Sequence, residues 1–131
     1  MMNGADVRVD VRLTLHRDER FFGPGICELL EKIDDTGSIQ AAAGLMEMSY
    51  TKAWKILNRA EKKMNRRLII RVNGGKSGGS STLTPYGKAA VTAFREMEQR
   101  LRAESEKVFA EYEDIFLPYP GVKNISYYIC M

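Results

Sequence analysis

The segment from Gly37 to Arg71, GSIQAAAGLMEMSYTKAWKILNRAEKKMNRRLIIR, constrains the fold more than any other part of the chain. It reads as a short helix, a tight turn, a second helix and then a strand. Ser38 precedes one apolar-periodic run and Ser49 the next. A serine in that place accepts a hydrogen bond from an amide that the first helical turn leaves without a partner, so each serine marks a helix start. The spacing predicts helices over about Ser38 to Met46 and Tyr50 to Met64, with Glu47-Met48 as the turn between them. In the first helix Ile39, Ala42 and Leu45 should face inward, with Ala43 and Met46 beside them. In the second, Ala53, Leu57, Ala60 and Met64 form the apolar stripe. The small residues Ala41, Ala42 and Ala43 let two helices approach closely. Tyr50, Thr51, Lys52, Lys55 and Arg59 are left facing outward. Two capped helices joined in this way form a helix-turn-helix pattern.

The flanking sequence supplies the rest of a domain. Val7, Val9, Val11, Leu13 and Leu15 alternate with Arg8, Asp10, Arg12, Thr14 and His16, the period of a half-buried strand. Arg17-Asp18-Glu19-Arg20 reads as a turn. Gly23-Pro24-Gly25 then opens a helix whose apolar positions Ile26, Leu29, Leu30 and Ile33 carry it to about Asp35, and Thr36-Gly37 ends it. Leu68 to Asn73 is a short β run that should place Leu68, Ile70 and Val72 on one face. Four glycines and three serines around Lys76, over residues 74–81, make a flexible loop, and Thr82-Leu83-Thr84 begins the return strand. Thr84 and Pro85 open a last helix predicted to run to about Glu113. Its Ala90, Phe94, Met97 and Leu101 follow coiled-coil spacing, which Val108, Tyr112 and Ile115 resume after one stutter. A helix of that length spans about 43 Å, too long to lie wholly on so small a domain, so its apolar seam calls for a second copy. Leu117-Pro118-Tyr119-Pro120-Gly121 breaks the helix. The segment Ile125-Ser126-Tyr127-Tyr128-Ile129 reads equally as an edge strand or an ordered tail.

Composition sets outer limits. The chain has 131 residues, enough for one domain with an appendage. It is 44% hydrophobic and 28% charged, as an ordinary soluble globular protein is. A net charge of +3 permits a nucleic-acid partner without arguing for one, because the position of the charge decides. No apolar run approaches a membrane span, and the first residues lack the apolar core of a secretory signal. Cys27 and Cys130 are read as reduced thiols rather than a disulfide. These features together predict a cytoplasmic location.

Each candidate site has a bland reading beside the sharp one. Ser49, Tyr50, Thr51 and Lys52 are either a solvated helix start or a DNA-contacting one. Hydroxyls and a helix N-terminus suit phosphates, and Lys and Tyr can reach base edges. Lys55 and Arg59, one and two turns on, suit phosphate or groove contacts equally with a plain solvated face. Arg71, at the base of the glycine loop, and Lys76, within it, suit the DNA backbone or minor groove. The run Lys62, Lys63, Arg66, Arg67 serves solubility as readily as contact. Trp54 is read as a packing residue. The Gly75-Lys76-Ser77 triplet is not a nucleotide-binding loop: that motif needs glycine at the position of Ile70 and a helix directly after the lysine. His16 stands without metal-ligand neighbours in sequence, and Asp34-Asp35 reads as a solvated helix end. No catalytic set, metal site or cofactor motif is recognisable, so an enzyme is not expected.

The order strand, helix, helix, turn, helix, strand, glycine loop, strand, long helix describes a winged helix-turn-helix, mainly α with a small antiparallel sheet. The segments Ile33–Ala43 (IDDTGSIQAAA), Met48–Trp54 (MSYTKAW), Gly74–Gly79 (GGKSGG) and Leu83–Gly87 (LTPYG) resemble the N-terminal domain of the ModE family of molybdate-responsive transcriptional regulators. More distantly they resemble the DNA-binding domain of LysR-type regulators. The resemblance covers about Phe21 to Leu101. It implies a DNA-binding domain over 1–84, a dimerisation helix over 85–116 and a short tail over 117–131. It further implies a homodimer on double-stranded DNA, with a recognition helix at about 50–64 in the major groove and a wing at 73–82 on the backbone or minor groove. Molybdate sensing is not expected to carry over, because the family's C-terminal oxyanion-binding module has no counterpart in this sequence. The competing reading is a winged-helix module that docks a protein and reads no DNA.

Overall fold

Both serine caps form. Ser38 Oγ accepts the Ala41 N–H and Ser49 Oγ accepts the Lys52 N–H, each at 3.0 Å. They open the helices Ile39–Leu45 and Tyr50–Met64. In the computed structural model, which describes residues 7–72 and 79–117, the chain forms two units. Arg12–Glu96 is one, and the other takes in the described residues 7–11 and 97–117. The elements in order are β1 (Leu15–Arg17), β2 (Glu19–Phe22), α1 (Pro24–Thr36), α2 (Ile39–Leu45), α3 (Tyr50–Met64), β3 (Ile69–Val72), β4 (Ser80–Leu83), α4 (Pro85–Ala110) and α5 (Glu113–Phe116). β1 pairs antiparallel with β2, and β3 antiparallel with β4. This is a winged helix-turn-helix, mainly α with small antiparallel sheets.

Sequence chemistry explains the boundaries. Pro24 occupies the first turn of α1, where a missing N–H costs nothing. Gly37 ends the helix with φ 74°, left-handed backbone that glycine adopts without steric cost, and its N–H donates to the Ile33 carbonyl at 2.7 Å. Glu47 takes φ 56° to make the turn between α2 and α3, and Asn65 takes φ 55° to end α3. Packing then locks the pieces together. Ile26, Leu29, Leu30 and Ile33 of α1 are buried with Ile39, Ala42 and Ala43 of α2 and Ala53, Leu57 and Ala60 of α3. Alanines at the α2 and α3 contact positions let those helices pack closely, whereas Ala41 lies exposed. The Glu61 carboxylate accepts the N–H groups of Leu68 (2.8 Å) and Ile69 (3.3 Å), which fixes the start of β3 to α3. Ser81 N–H donates to the Gly37 carbonyl at 2.8 Å, which ties the wing to the end of α1.

Five sequence expectations are corrected. The N-terminal alternation does not become a strand over Val7 to His16: only Leu15–Arg17 pairs, through a turn at Asp18 (φ 66°). Its partner stops at Phe22, because Gly23-Pro24 turns the chain into α1, and residues before Leu15 then have no neighbour to pair with. Glu19 and Arg20, read as turn residues, belong to β2. Leu45 is 63% exposed, since α2 ends there and the partly buried Met46 continues the inward stripe. In β3, Leu68 and Ile69 are both buried while Ile70 and Val72 are exposed. The alternation fails because Leu68 lies before the strand, held by Glu61 on one side and by Thr84 N–H on its carbonyl at 2.9 Å. The last helix is interrupted: α4 stops at Ala110, Glu111 and Tyr112 donate to carbonyls three residues back, and a short α5 follows. The glycine loop over residues 73–78, with Lys76, and the tail after Leu117 lie outside the described residues.

The first turns of α4 belong to the Arg12–Glu96 unit. Phe94 is buried there, with its ring 5.2 Å from that of Phe22. Arg95 clamps Glu31 of α1 through Nε at 3.0 Å and a second nitrogen at 2.7 Å. The hydrogen bond from Arg95 is the main cause that holds the Glu31 carboxyl below its ordinary pKa, against a smaller opposing effect of burial. A carboxylate depressed in the folded state adds stability above its unfolded pKa and loses it as pH falls through the lower folded value. Both side chains are more than a third exposed, so solvent screens the pair to roughly 0.5–1 kcal/mol. Glu31→Gln should therefore lower urea stability by that amount near neutrality and by almost nothing in acid. An equal loss at both pH values would mean that packing, not charge, carries the contact.

Candidate nucleic-acid interface

Helix α3 presents one cationic face. Ser49 ends its N-terminus, no acidic residue lies in its first turn, and Tyr50, Thr51, Lys52, Lys55 and Arg59 are all exposed. The face opposite them is anchored by Ala53, Leu57 and Ala60, all buried. Backbone amides at the start of a helix carry a partial positive charge, and here it adds to the two lysines. Among the described residues no carboxylate lies within ion-pairing distance of Lys52 or Lys55. The far half of the helix differs. Arg59 Nε is 3.9 Å from Glu19, and Lys63 Nζ is 3.6 Å from Asp18 and 3.9 Å from Glu19. The β1–β2 hairpin thus tempers the charge towards the C-terminal end and leaves it strongest at the N-terminal end. Sequence reading had no means of finding this pairing, since nothing local links Asp18 and Glu19 to α3.

A second group of residues gathers beside that N-terminus. Ser38 and Gln40 at the start of α2, Tyr50 of α3, Arg71 of β3 and Ser80 of β4 line one cleft of about 450 Å³. Tyr50 and Arg71, more than twenty positions apart in sequence, are brought together there. Gln40 was not singled out from the sequence. The available signal was its place as an exposed polar residue one position inside a capped helix. Arg71 stacks on Trp54 rather than pairing with an acid: its Cζ is 3.4 Å from the ring centroid. Trp54 is half-buried on α3. Lys76, at the centre of the glycine loop, lies outside the described residues, so six of the eight candidate positions sit on or just before α3 and one on the stem of the wing.

Of the basic run in the last turn of α3 and just beyond it, Lys63 pairs with the hairpin acids, Arg67 pairs with Glu61 at 3.3 Å, and Arg66 stacks over Tyr86 at 4.1 Å. Three of these four residues are therefore engaged within the domain, and Lys62 is exposed. Cys27 is buried in the core. Among the described residues no group of His, Cys, Asp or Glu is placed to hold a metal ion, and no helix is long and apolar enough to cross a membrane.

This arrangement of capped helix pair, cationic second helix and antiparallel wing defines a winged helix-turn-helix domain. Residues 27–88 match the family described as "Bacterial regulatory helix-turn-helix protein, lysR family". The chain is 38% identical over 91 residues to "Molybdenum transport protein ModE" of Herbaspirillum seropedicae, covering 70% of this chain and 32% of that protein. It is 33% identical over 113 residues to "Transcriptional regulator ModE" of Yersinia pestis, covering 86% of this chain and 41% of the relative. It is 32% identical over 89 residues to "DNA-binding transcriptional dual regulator ModE" of Escherichia coli (strain K12), covering 67% and 34%. Over residues 27–88 the chain is thus similar to LysR-type helix-turn-helix domains, and the relatives named here are ModE proteins. The chain spans 32% to 41% of the length of these curated relatives.

Proposed function

We propose that this protein is a sequence-specific, double-stranded-DNA-binding transcriptional regulator that acts as a homodimer in the cytoplasm. It is a binder and not an enzyme. The observation that carries the reading is the N-terminal half of α3: capped, free of acids in its first turn, and lined with exposed Tyr50, Thr51, Lys52 and Lys55. Inserted in a major groove, that end would set Ser49 and Thr51 against the phosphate backbone and Tyr50 and Lys52 against base edges. Lys55 and Arg59 would then track a strand, with Arg71 and Lys76 gripping the backbone or minor groove from the wing. The names of the relatives, which include a DNA-binding transcriptional regulator, support the same reading.

The dimer is assigned to the later part of α4 and to α5. Ala90 packs against the domain core and Phe94 is buried in it, so the first two seam positions are occupied within the domain. Met97, Leu101, Val108, Tyr112, Ile115 and Phe116 remain between 40% and 63% exposed. A row of large apolar side chains at that exposure is unusual for a monomer and suits a second copy of itself. Leu101→Glu should place a charge in the seam and give monomers in sedimentation velocity. An intact dimer would remove Leu101 from the interface.

The function is tested by anisotropy titration of the full chain against random-sequence duplexes over a range of salt, with sequencing of the retained pool. We expect affinity to fall steeply with salt and a two-fold-symmetric motif to be enriched, because each phosphate contact releases a counterion and a dimer reads paired half-sites. Salt-sensitive binding without enrichment would reduce the reading to a non-specific DNA-associated protein. Absence of binding would overturn it in favour of protein docking.

A further inference from the structure

We infer that Trp54 is a positioning residue for DNA, one that holds the Arg71 guanidinium at the cleft between α2, α3 and the wing stem so that it meets a backbone phosphate. The inference rests on the DNA-binding reading above and adds a role that neither residue has on its own.

Arg71 is the third residue of the four-residue β3, and its backbone is fixed by pairing with Ser81. Its side chain is exposed, and a free arginine on a strand would lose considerable rotamer freedom on gripping a phosphate. Stacking removes part of that cost beforehand. With Cζ 3.4 Å from the indole centroid, the guanidinium uses its face on Trp54 and keeps its N–H edges for an acceptor. Trp54 is a firm platform, because Ala53 and Leu57 beside it on α3 are fully buried.

The choice of a neutral ring matters. Arg59 faces Glu19, Arg67 faces Glu61 and Arg95 faces Glu31, so each of these shares its charge with a carboxylate. Arg71 is oriented with no acid within pairing distance among the described residues, so its charge stays available. The cleft that it lines with Gln40, Tyr50 and Ser80 is likewise free of carboxylates. A pocket with one oriented guanidinium and neutral hydrogen-bonding side chains fits an anionic oxygen group of the DNA strand that runs past α3. Trp54 thereby couples the wing stem to the recognition helix.

Four full-length variants test this: Arg71→Ala, Trp54→Leu, Trp54→Phe, and Trp54→Leu combined with Arg71→Ala. Each is titrated with the random-sequence duplex pool at several salt concentrations. Arg71→Ala should weaken binding about tenfold and lower the salt slope by about one per protomer, roughly two for the dimer. Trp54→Leu should reproduce most of that loss and the same change in slope, yet add little in the Arg71→Ala background. Trp54→Phe keeps an aromatic face and should retain most of the affinity, which separates stacking from any loss of fold. Trp54 is the chain's single tryptophan, so its emission should also change in Arg71→Ala before DNA is added. Additive losses, or an unchanged salt slope in Trp54→Leu, would overturn the inference while leaving DNA binding intact. A wild-type chain that ignores every duplex would overturn the DNA reading and this inference with it.

Discussion

Gly87→Ala should cost about 2–3 kcal/mol and lower the melting temperature by roughly 10 °C or more, although alanine is the better helix former. Gly87 lies in the first turn of α4 and is buried. A Cβ built there would collide with the Leu68 carbonyl oxygen and come within 3.2 Å of its carbon. The obstacle is backbone, and that backbone cannot retreat. Leu68 N–H is bound by Glu61 at 2.8 Å, and its carbonyl accepts Thr84 N–H at 2.9 Å. Thr84 is also the cap of α4, with its hydroxyl accepting Gly87 N–H at 2.8 Å and donating to the Arg67 carbonyl at 2.7 Å. Relief of the clash would require moving the helix start off the strand and straining three of these bonds. The Leu-Thr-x-x-Gly pattern thus has a mechanical meaning: cap at Thr84, close helix–strand contact at Gly87. Gly44→Ala is the control, since its Cβ would meet nothing within 4 Å, and it should raise stability by about 0.5–1 kcal/mol. Thermal melts followed by circular dichroism read both. Equal and small shifts would show that the α4 contact yields more easily than its hydrogen bonds imply.

What could be read from sequence was whatever local chemistry decides. The caps Ser38, Ser49 and Thr84, the stop at Gly37 and the stripe Ala53, Leu57, Ala60 each depend on a few adjacent residues. The structure places them where the sequence does. What was missed depended on distant partners. Alternation from Val7 to Leu15 gives strand propensity, but a strand needs a neighbour, and β2 is only four residues long. Periodicity identified Phe94 and Leu101 alike as apolar positions of one helix. It could not say that Phe94 packs on Phe22 whereas Leu101 stays exposed, because core-facing and partner-facing stripes share one period. The outward set on α3 was legible from the inverse of its buried stripe. Its electrostatic gradient was not, since Asp18 and Glu19 arrive from a hairpin forty or more positions before the residues that they pair with. The stacking of Arg71 on Trp54 is of the same kind.

Lys52→Glu should raise the stability of the domain slightly and abolish most of its DNA affinity, a pair of opposite effects that few other readings of α3 would produce. Lys52 occupies the third position of the helix, and its N–H is already bound by the Ser49 hydroxyl. A glutamate there completes a capping box, with the carboxylate reaching back to the Ser49 N–H and meeting the positive end of the helix dipole. The gain should be about 0.3–1 kcal/mol. Helix physics alone therefore prefers an acid at this position, and the chain instead carries an exposed lysine with no carboxylate within pairing distance among the described residues. A local rule broken at the tip of the proposed recognition helix is the pattern expected when binding, not folding, sets the residue. On that reading the reversal removes one attractive contact and adds a repulsive one against a phosphate-lined groove. The loss should be on the order of a hundredfold, with a shallower salt dependence. Paired melts and anisotropy titrations on the same preparation give both numbers. A raised melting temperature with unchanged affinity would take Lys52 out of the interface and return the start of α3 to a solvated cap. A lowered melting temperature would mean that the lysine serves the fold after all.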